Sequence, residues 1–176
     1  MNSDLNGGPR TADAVDSPVV RYDAPRAGDF TPYTAAPGID THNNQEKPMR
    51  KQRLAFEEIY PSGPHYSRGV RAGNMLFISG CTANGSAAEN GTPMEQLHVV
   101  LDRITRMVTA EGGQAADIVK LTTFVSDPGE WFPFEGEQVD IYHEFFGQDY
   151  PVNTIVGAQF PADNIRVEID AIAVLD

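Results

Sequence analysis

The spacing of apolar and polar positions changes character near residue 50. Before it, from Met1 to about Gln45, stretches such as "GGPRTADAVDSP" and "RYDAPRAGDFTPYTAAPGID" follow neither a helical nor a strand period. Rich in Pro, Gly, Asp, Thr and Ala, they cannot bury enough apolar surface to offset their chain entropy. Residues 1–49 are therefore expected to be a disordered or arm-like extension, and residues 50–176 the folded domain.

From Arg50 onward regular elements follow closely. "RLAFEEIY" and "HYSRGVRAG" read as strand segments around the turn "PSGP", and "GNMLFISG" as a short apolar strand bounded by glycines. The run "TPMEQLHVVLDRITRMVTAEGG" predicts a helix in which Thr92 caps, Pro93 takes the first turn, Gln96 closes a capping-box contact and Gly112 ends the element. Leu97, Val100, Leu101, Ile104 and Val108 recur at the three-to-four spacing of one buried stripe, with His98 a step off it. "DIVKLTTFVSD" is a β-branched strand. "WFPFEGEQVDIYHEFFG" holds a second helix, best defined from Glu137 to Phe146, and "YPVNTIVGAQFPADNIRVEIDAIAV" supplies two final strands joined by a Pro-containing turn.

Strands, helix, strand, helix, strand, strand is the order of an α+β fold with both helices on one face of a single sheet. The last strand tests the other face. Val167, Ile169, Ala171 and Ala173 alternate with Glu168, Asp170, Ile172 and Val174, so both sides carry apolar residues and neither suits plain solvent. Oligomerisation is the economical expectation, with the open faces of several copies packed into a shared interior. Glu168 and Asp170 would then lie at or near an interface, where carboxylates need a reason to exist.

Charge and cysteine content narrow the partners. A formal net charge of −12 over 176 residues spreads a negative field that repels nucleic-acid phosphates and anionic lipid surfaces. With Cys81 alone, no disulfide can form within the chain and no Cys-rich metal site can be built. No apolar run reaches membrane-spanning length and "MNSDLNGGPR" lacks the order of a secretory signal, so a cytoplasmic protein is expected.

Six segments, "GPHYSRGVRAGNMLFISG", "EQLHVVLDRITRMVTAEGG", "DIVKLTTFVSD", "YHEFFG", "YPVNTIV" and "VEIDAIAV", stand in the order and spacing of the RidA/YjgF/UK114 (Rid) family. The chain resembles that family over about residues 54 to 176. The resemblance implies a chorismate-mutase-like fold with a single mixed sheet, assembled as a homotrimer with three clefts between subunits. It also implies cofactor-free and metal-free hydrolysis of reactive imines or enamines to a keto acid and ammonia. By the same resemblance the cleft is built from Tyr66, Ser79 and Gly80, from Asn153, Thr154 and Ile155, and from Glu168, with Cys81 near its mouth.

Imine hydrolysis asks for such residue types on its own account. Water must be delivered to an electrophilic carbon and protons moved to departing ammonia, which suits one carboxylate able to hold and deprotonate water. Glu168 is the candidate, against the plainer role of an edge carboxylate paired with Arg166. Asp170, on the same strand face, would raise its proton affinity by like-charge repulsion. Tyr66 and Ser79 can hydrogen-bond a substrate or simply pack. Cys81 as a nucleophile would need a basic neighbour, and a buried structural thiol is the commoner fate of a lone cysteine. His65 is a loop histidine unless it faces the cleft, and Trp131, Phe132 and Phe134 read as core or interface filler.

One departure from the family pattern stands out. Where deaminating members typically have Pro-x-Arg-Ser/Thr, with the arginine gripping a substrate carboxylate, this chain has Pro151-Val152-Asn153-Thr154, and the next cleft position is the apolar Ile155. Asn153 cannot replace that clamp, although Arg68, Arg71 or Arg166 could approach a carboxylate from another direction. The reading that follows is a Rid-type hydrolase of an imine, enamine or related C–N intermediate that is not a small α-imino acid. The alternatives are a trimer of another reaction type, such as a tautomerase or lyase using Glu168, or a ligand-binding or chaperone-like trimer without catalysis.

Overall fold

A computed structural model describes residues 49–176; the expected arm lies outside the described residues but for Met49. Strands β1 (Lys51–Leu54), β2 (Gly69–Ala72) and β3 (Met75–Cys81) precede helix α1 (Pro93–Ala110). Strand β4 (Ile118–Val125), helix α2 (Glu137–Phe146) and strands β5 (Val152–Gly157) and β6 (Val167–Val174) complete the order. All six strands form one sheet in the order β1-β2-β3-β6-β4-β5. Every pairing is antiparallel except β4 with β5, so the sheet is mixed. The architecture is the α+β sandwich that the element order predicts.

Two details differ from the sequence expectation. The strand read across "RLAFEEIY" stops at Leu54, because Phe56 adopts φ 55° and its carbonyl accepts from the amides of Ile59 and Tyr60, closing a turn. The two final strands do not pair with each other: β5 lies at the sheet edge beside β4, whereas β6 inserts between β3 and β4.

Helix α1 buries the expected stripe, with Leu97, Val100, Leu101, Ile104 and Val108 all fully inaccessible together with Met107. Opposite them lie Leu76 and Ile78 of β3, Leu121 and Val125 of β4, and Val167, Ile169, Ala171 and Ala173 of β6. Burying each such Leu or Ile contributes about 1.5–3 kcal/mol, which is why one continuous stripe suffices to hold the helix on the sheet.

The cap of α1 corrects one assignment. Glu95, not Gln96, closes the capping box: its carboxylate accepts from the Thr92 amide at 2.7 Å while its own amide donates to Thr92 Oγ1 at 3.2 Å. Gln96, the next residue, points inward and is 1% exposed. Its Nε2 donates to the carbonyls of Glu89 and Asn164, and its Oε1 accepts from the Arg166 amide. One buried carboxamide thus ties the loop before α1 to the loop before β6. At the other end Gly112, at φ +90°, reverses the chain as expected.

Among the described residues the sheet's second face carries no helix. Exposed there are Met75 and Phe77 of β3, Val174 of β6, and Val152 and Val156 of β5. The pairings Met75 with Val174 and Phe77 with Ile172 make one apolar patch and Phe124 with Val156 a second, with Lys120, Thr122, Glu168 and Asp170 between them. Among the described residues no helix is long and apolar enough to cross a membrane.

Gln96→Ala is expected to cost about 3 kcal/mol of unfolding free energy, because it strands several buried polar groups. Glu95→Ala, at the exposed cap, should cost about 1 kcal/mol. Urea denaturation at one fixed protein concentration compares the two; an equal cost would mean that Gln96 does not tie the loops.

Candidate functional site

A bulge in β3 organises one half of the site. Ile78 pairs with Ala171 and Cys81 with Ile169, so two residues of β3, Ser79 and Gly80, stand opposite the single Asp170 of β6. The extra residue resets the alternation, so that Ile78 and Cys81, three positions apart, both turn toward the helices. Cys81 is accordingly fully buried in the core. Burial pushes its thiol up to about 11, against the pull of Arg68 and Arg103, so it is no thiolate at neutral pH.

On the open face, Glu168 of β6 lies directly against the bulge. A Cβ on Gly80 would sit 1.9 Å from the Glu168 Oε1, so only glycine leaves room for the carboxylate. Glu168 is half-buried, and among the described residues its oxygens have no hydrogen-bond or ion-pair partner. Arg166, the plainer partner, pairs with Glu130 instead. Desolvation holds the Glu168 carboxyl above the usual carboxylate range; Asp170 pushes it the same way and Arg68 opposes both.

Arg68 is the buried cation behind this half-site, 1% exposed. Its Nε donates to the carbonyls of Tyr60 and Pro61, and its Nη1 to Gly80 O at 2.6 Å and Ser79 Oγ at 3.4 Å. Its Nη2 donates to Pro61 O and to the Tyr66 hydroxyl, both at 2.8 Å. All five N–H groups of the guanidinium are thereby directed at its own chain. Ser79 Oγ in turn donates to Arg68 O. Arg68 therefore holds Tyr66, Ser79 and Gly80 in place, with no donor left over for a ligand. Tyr66 itself remains half-exposed.

The remaining candidates lie elsewhere. Thr154 of β5 faces the open side, where its hydroxyl accepts from Lys120 Nζ at 3.0 Å. Its neighbours Asn153 and Ile155 point to the opposite face, beside α2. There Thr123 Oγ1 donates to Asn153 Oδ1, and Asn153 Nδ2 donates to the Tyr142 hydroxyl, each at 3.0 Å. Burial raises the Tyr142 phenol pKa against the opposing pull of hydrogen bonds to Thr123 and Asn153. Phe134, Val139, Tyr142, Tyr150 and Ile155 surround Asn153 in a cleft of about 420 Å³.

The structure thus joins Tyr66, Arg68, Ser79, Gly80 and Glu168 in one half-site and Asn153 with Ile155 in another, on opposite faces of the same sheet. Cys81 belongs to neither. Arg71 is engaged at the end of α1, donating to Glu111 O at 2.9 Å and pairing with its carboxylate. Tyr142 and Thr123 were not legible as site residues, because they meet Asn153 only through the parallel pairing of β4 with β5 and the return of α2. Among the described residues no group of three or more His, Cys, Asp or Glu side chains could hold a metal ion.

Comparison with known proteins agrees with the fold. The family model described as Endoribonuclease L-PSP matches residues 56–175. The chain is 34% identical over 118 residues to the 2-iminobutanoate/2-iminopropanoate deaminase of Escherichia coli, covering 64% of this chain and 88% of that protein. It is 29% identical over 116 residues to a RutC family protein of Pyrococcus horikoshii, covering 64% and 88% respectively. A solved YjgF/YER057c/UK114 family structure from Mycobacterium tuberculosis superposes with a TM-score of 0.59 at 26% identity, over 72% of this chain and 100% of that one.

The raised pKa of Glu168 has a definite sign for stability. Its contribution is complete below the ordinary carboxylate pKa and is lost as pH rises through the higher folded value. Glu168→Gln cannot lose it, so melting temperatures of the two proteins should converge in acid and diverge toward neutrality, with the variant the more stable. A constant offset across the pH range would mean that the carboxyl is not desolvated.

Proposed function

We propose, on the premise that this chain belongs to the Endoribonuclease L-PSP family, within which its relatives include an imine deaminase, that it hydrolyses an imine or enamine whose carbon skeleton bears no α-carboxylate. The observation that carries the reading is the Glu168 carboxylate, held against Gly80, half-desolvated and free of protein partners among the described residues. Such a group can bind water and accept its proton. Hydroxide equivalent adds to the imine carbon, forming a C–O bond as the C=N electron pair moves to nitrogen. The proton held by Glu168 then passes to that nitrogen, giving a carbinolamine; Glu168 next takes the proton of the new hydroxyl and delivers it to the nitrogen as the C=O bond forms and the C–N bond breaks, so that a carbonyl compound and ammonia leave. Tyr66, fixed by Arg68, is placed to hydrogen-bond the substrate beside it.

The Asn153 cleft supports the choice of substrate. Among the described residues no basic side chain lines it, so a substrate carboxylate there would stay uncompensated in a chain of net charge −12. Arg68, Arg71 and Arg166 are engaged with their own chain. The same charge weighs against RNA as substrate, whatever the family's description.

Because the Glu168 and Asn153 half-sites lie on opposite faces of one sheet, a single copy cannot present both to one small molecule. We therefore place the working site between copies of a homotrimer, assembled through the apolar open face. Light scattering at micromolar concentration should report a trimer, and a stable monomer would refute the shared cleft.

Ammonia release tests the chemistry. The enzyme should hydrolyse carboxylate-free imines, and Glu168→Gln should lower that turnover by about 10²-fold. 2-Iminobutanoate and 2-aminoacrylate, generated in situ by a dehydratase, should decay hardly faster than their uncatalysed background. Efficient turnover of either would overturn the substrate assignment. A trimer releasing ammonia from no imine would be a ligand-binding protein rather than an enzyme.

A further inference from the structure

The cleft beside α2 is more specific than an apolar hollow. Its walls are three aromatic side chains, Phe134, Tyr142 and Tyr150, with Val139 and Ile155, and its polar side chain apart from the two phenols is Asn153. Phe134 and Tyr142 stand with ring centroids 5.4 Å apart in a tilted arrangement. Tyr150 is tethered at the end of α2, where its hydroxyl lies 3.2 Å from His143 Nδ1. All three aromatic walls thus have a contact within the chain.

Asn153 is fixed as well. Its carboxamide has two N–H donors and one oxygen with two acceptor sites. Tyr142 takes one N–H and Thr123 occupies one acceptor site. Thr123 is fully buried and Tyr142 is 5% exposed, so neither can turn away to release the amide. Asn153 itself is exposed, which leaves its second N–H for the cleft. A single oriented donor in an aromatic surround, with no cation among the described residues that line it, suits one kind of ligand.

We infer that this cleft binds an uncharged aromatic group bearing one hydrogen-bond acceptor, read by Asn153, with Tyr142 and Thr123 as the positioning residues that aim its amide. The inference rests on the proposed hydrolytic reading of the same cleft and names the part of the substrate that lies in it. A neutral carbonyl, ether or imine nitrogen on a ring accepts from the spare N–H while the ring fills the aromatic walls. A carboxylate on the same ring accepts equally well but meets no counter-ion among the described residues that line the cleft.

Binding of benzamide and benzoate separates these cases, since the two share ring and shape and differ in charge. Titration of the intact protein, followed by the side-chain amide signal of Asn153 in heteronuclear NMR, should give benzamide an affinity at least about tenfold that of benzoate. The Asn153 signal should move with saturation. Tyr142→Phe and Thr123→Val should each weaken benzamide several-fold while leaving toluene, which has no acceptor, unchanged. A general loosening of the cleft would weaken both probes alike. Equal or tighter binding of benzoate, no movement of the Asn153 signal, or parallel loss of toluene in both variants would each overturn the inference. Benzamide bound as expected without any imine turnover would instead overturn the hydrolytic reading and leave the ligand class standing. Imine turnover without benzamide binding would do the reverse.

Discussion

A buried guanidinium constrains the half of this molecule that carries Glu168. Arg68 is nearly inaccessible, and a charge in that position is tolerable only when its donors are spent and its field is met. The chain meets both needs locally. Carbonyls from the turn at Tyr60 and Pro61 and from the bulge at Gly80 converge on it, and the Tyr60 ring lies 4.0 Å from its guanidinium carbon. Arg103 of α1 approaches the same ring at 4.2 Å and holds the carbonyls of Thr82 and Asn84. A column of cation, ring and cation therefore links the β1–β2 connection, the end of β3 and the main helix. Glu168 lies beside that column, which explains why a half-desolvated carboxyl is held near positive charge without being paired to it.

How far the sequence could be read follows from the range of each interaction. Both helices, the alternation of β6 and the stripe of α1 are local patterns, and they reappear nearly as read. The capping box closes at Glu95 because the motif needs its partner three residues after the Thr92 cap, a spacing that Thr92-Pro93-Met94-Glu95 already carries and that leaves Gln96 to turn inward. The position of β6 between β3 and β4 depends on pairings far apart in the chain, which no periodicity reports. Cys81 shows the same limit at smaller scale: strict alternation from Ile78 puts it on the open face, and the bulge at Ser79 and Gly80 reverses it. Asn153 was legible as an unusual residue, but Thr123 and Tyr142, which hold it, come from other elements.

The two half-sites illustrate how a thin α+β layer divides labour. A sheet has two faces, and side chains that alternate along a strand cannot converge on one point: β5 sends Thr154 one way and Asn153 the other, and β6 sends Glu168 away from the core. In the trimer proposed above, chemistry that needs residues from both faces would be inseparable from assembly, and the apolar patches of the open face, a liability in a lone copy, would become part of the site's construction.

The insertion of β6 also orders events during synthesis. Without it the sheet exists as two fragments, the β1-β2-β3 meander and the parallel β4–β5 pair, with no hydrogen-bonded ladder between them. Since β6 follows the other seven elements in chain order, both fragments are synthesised before the strand that joins them. During that interval the edges of β3 and β4 are both unpaired and flanked by apolar side chains, the condition in which holdase chaperones find their clients.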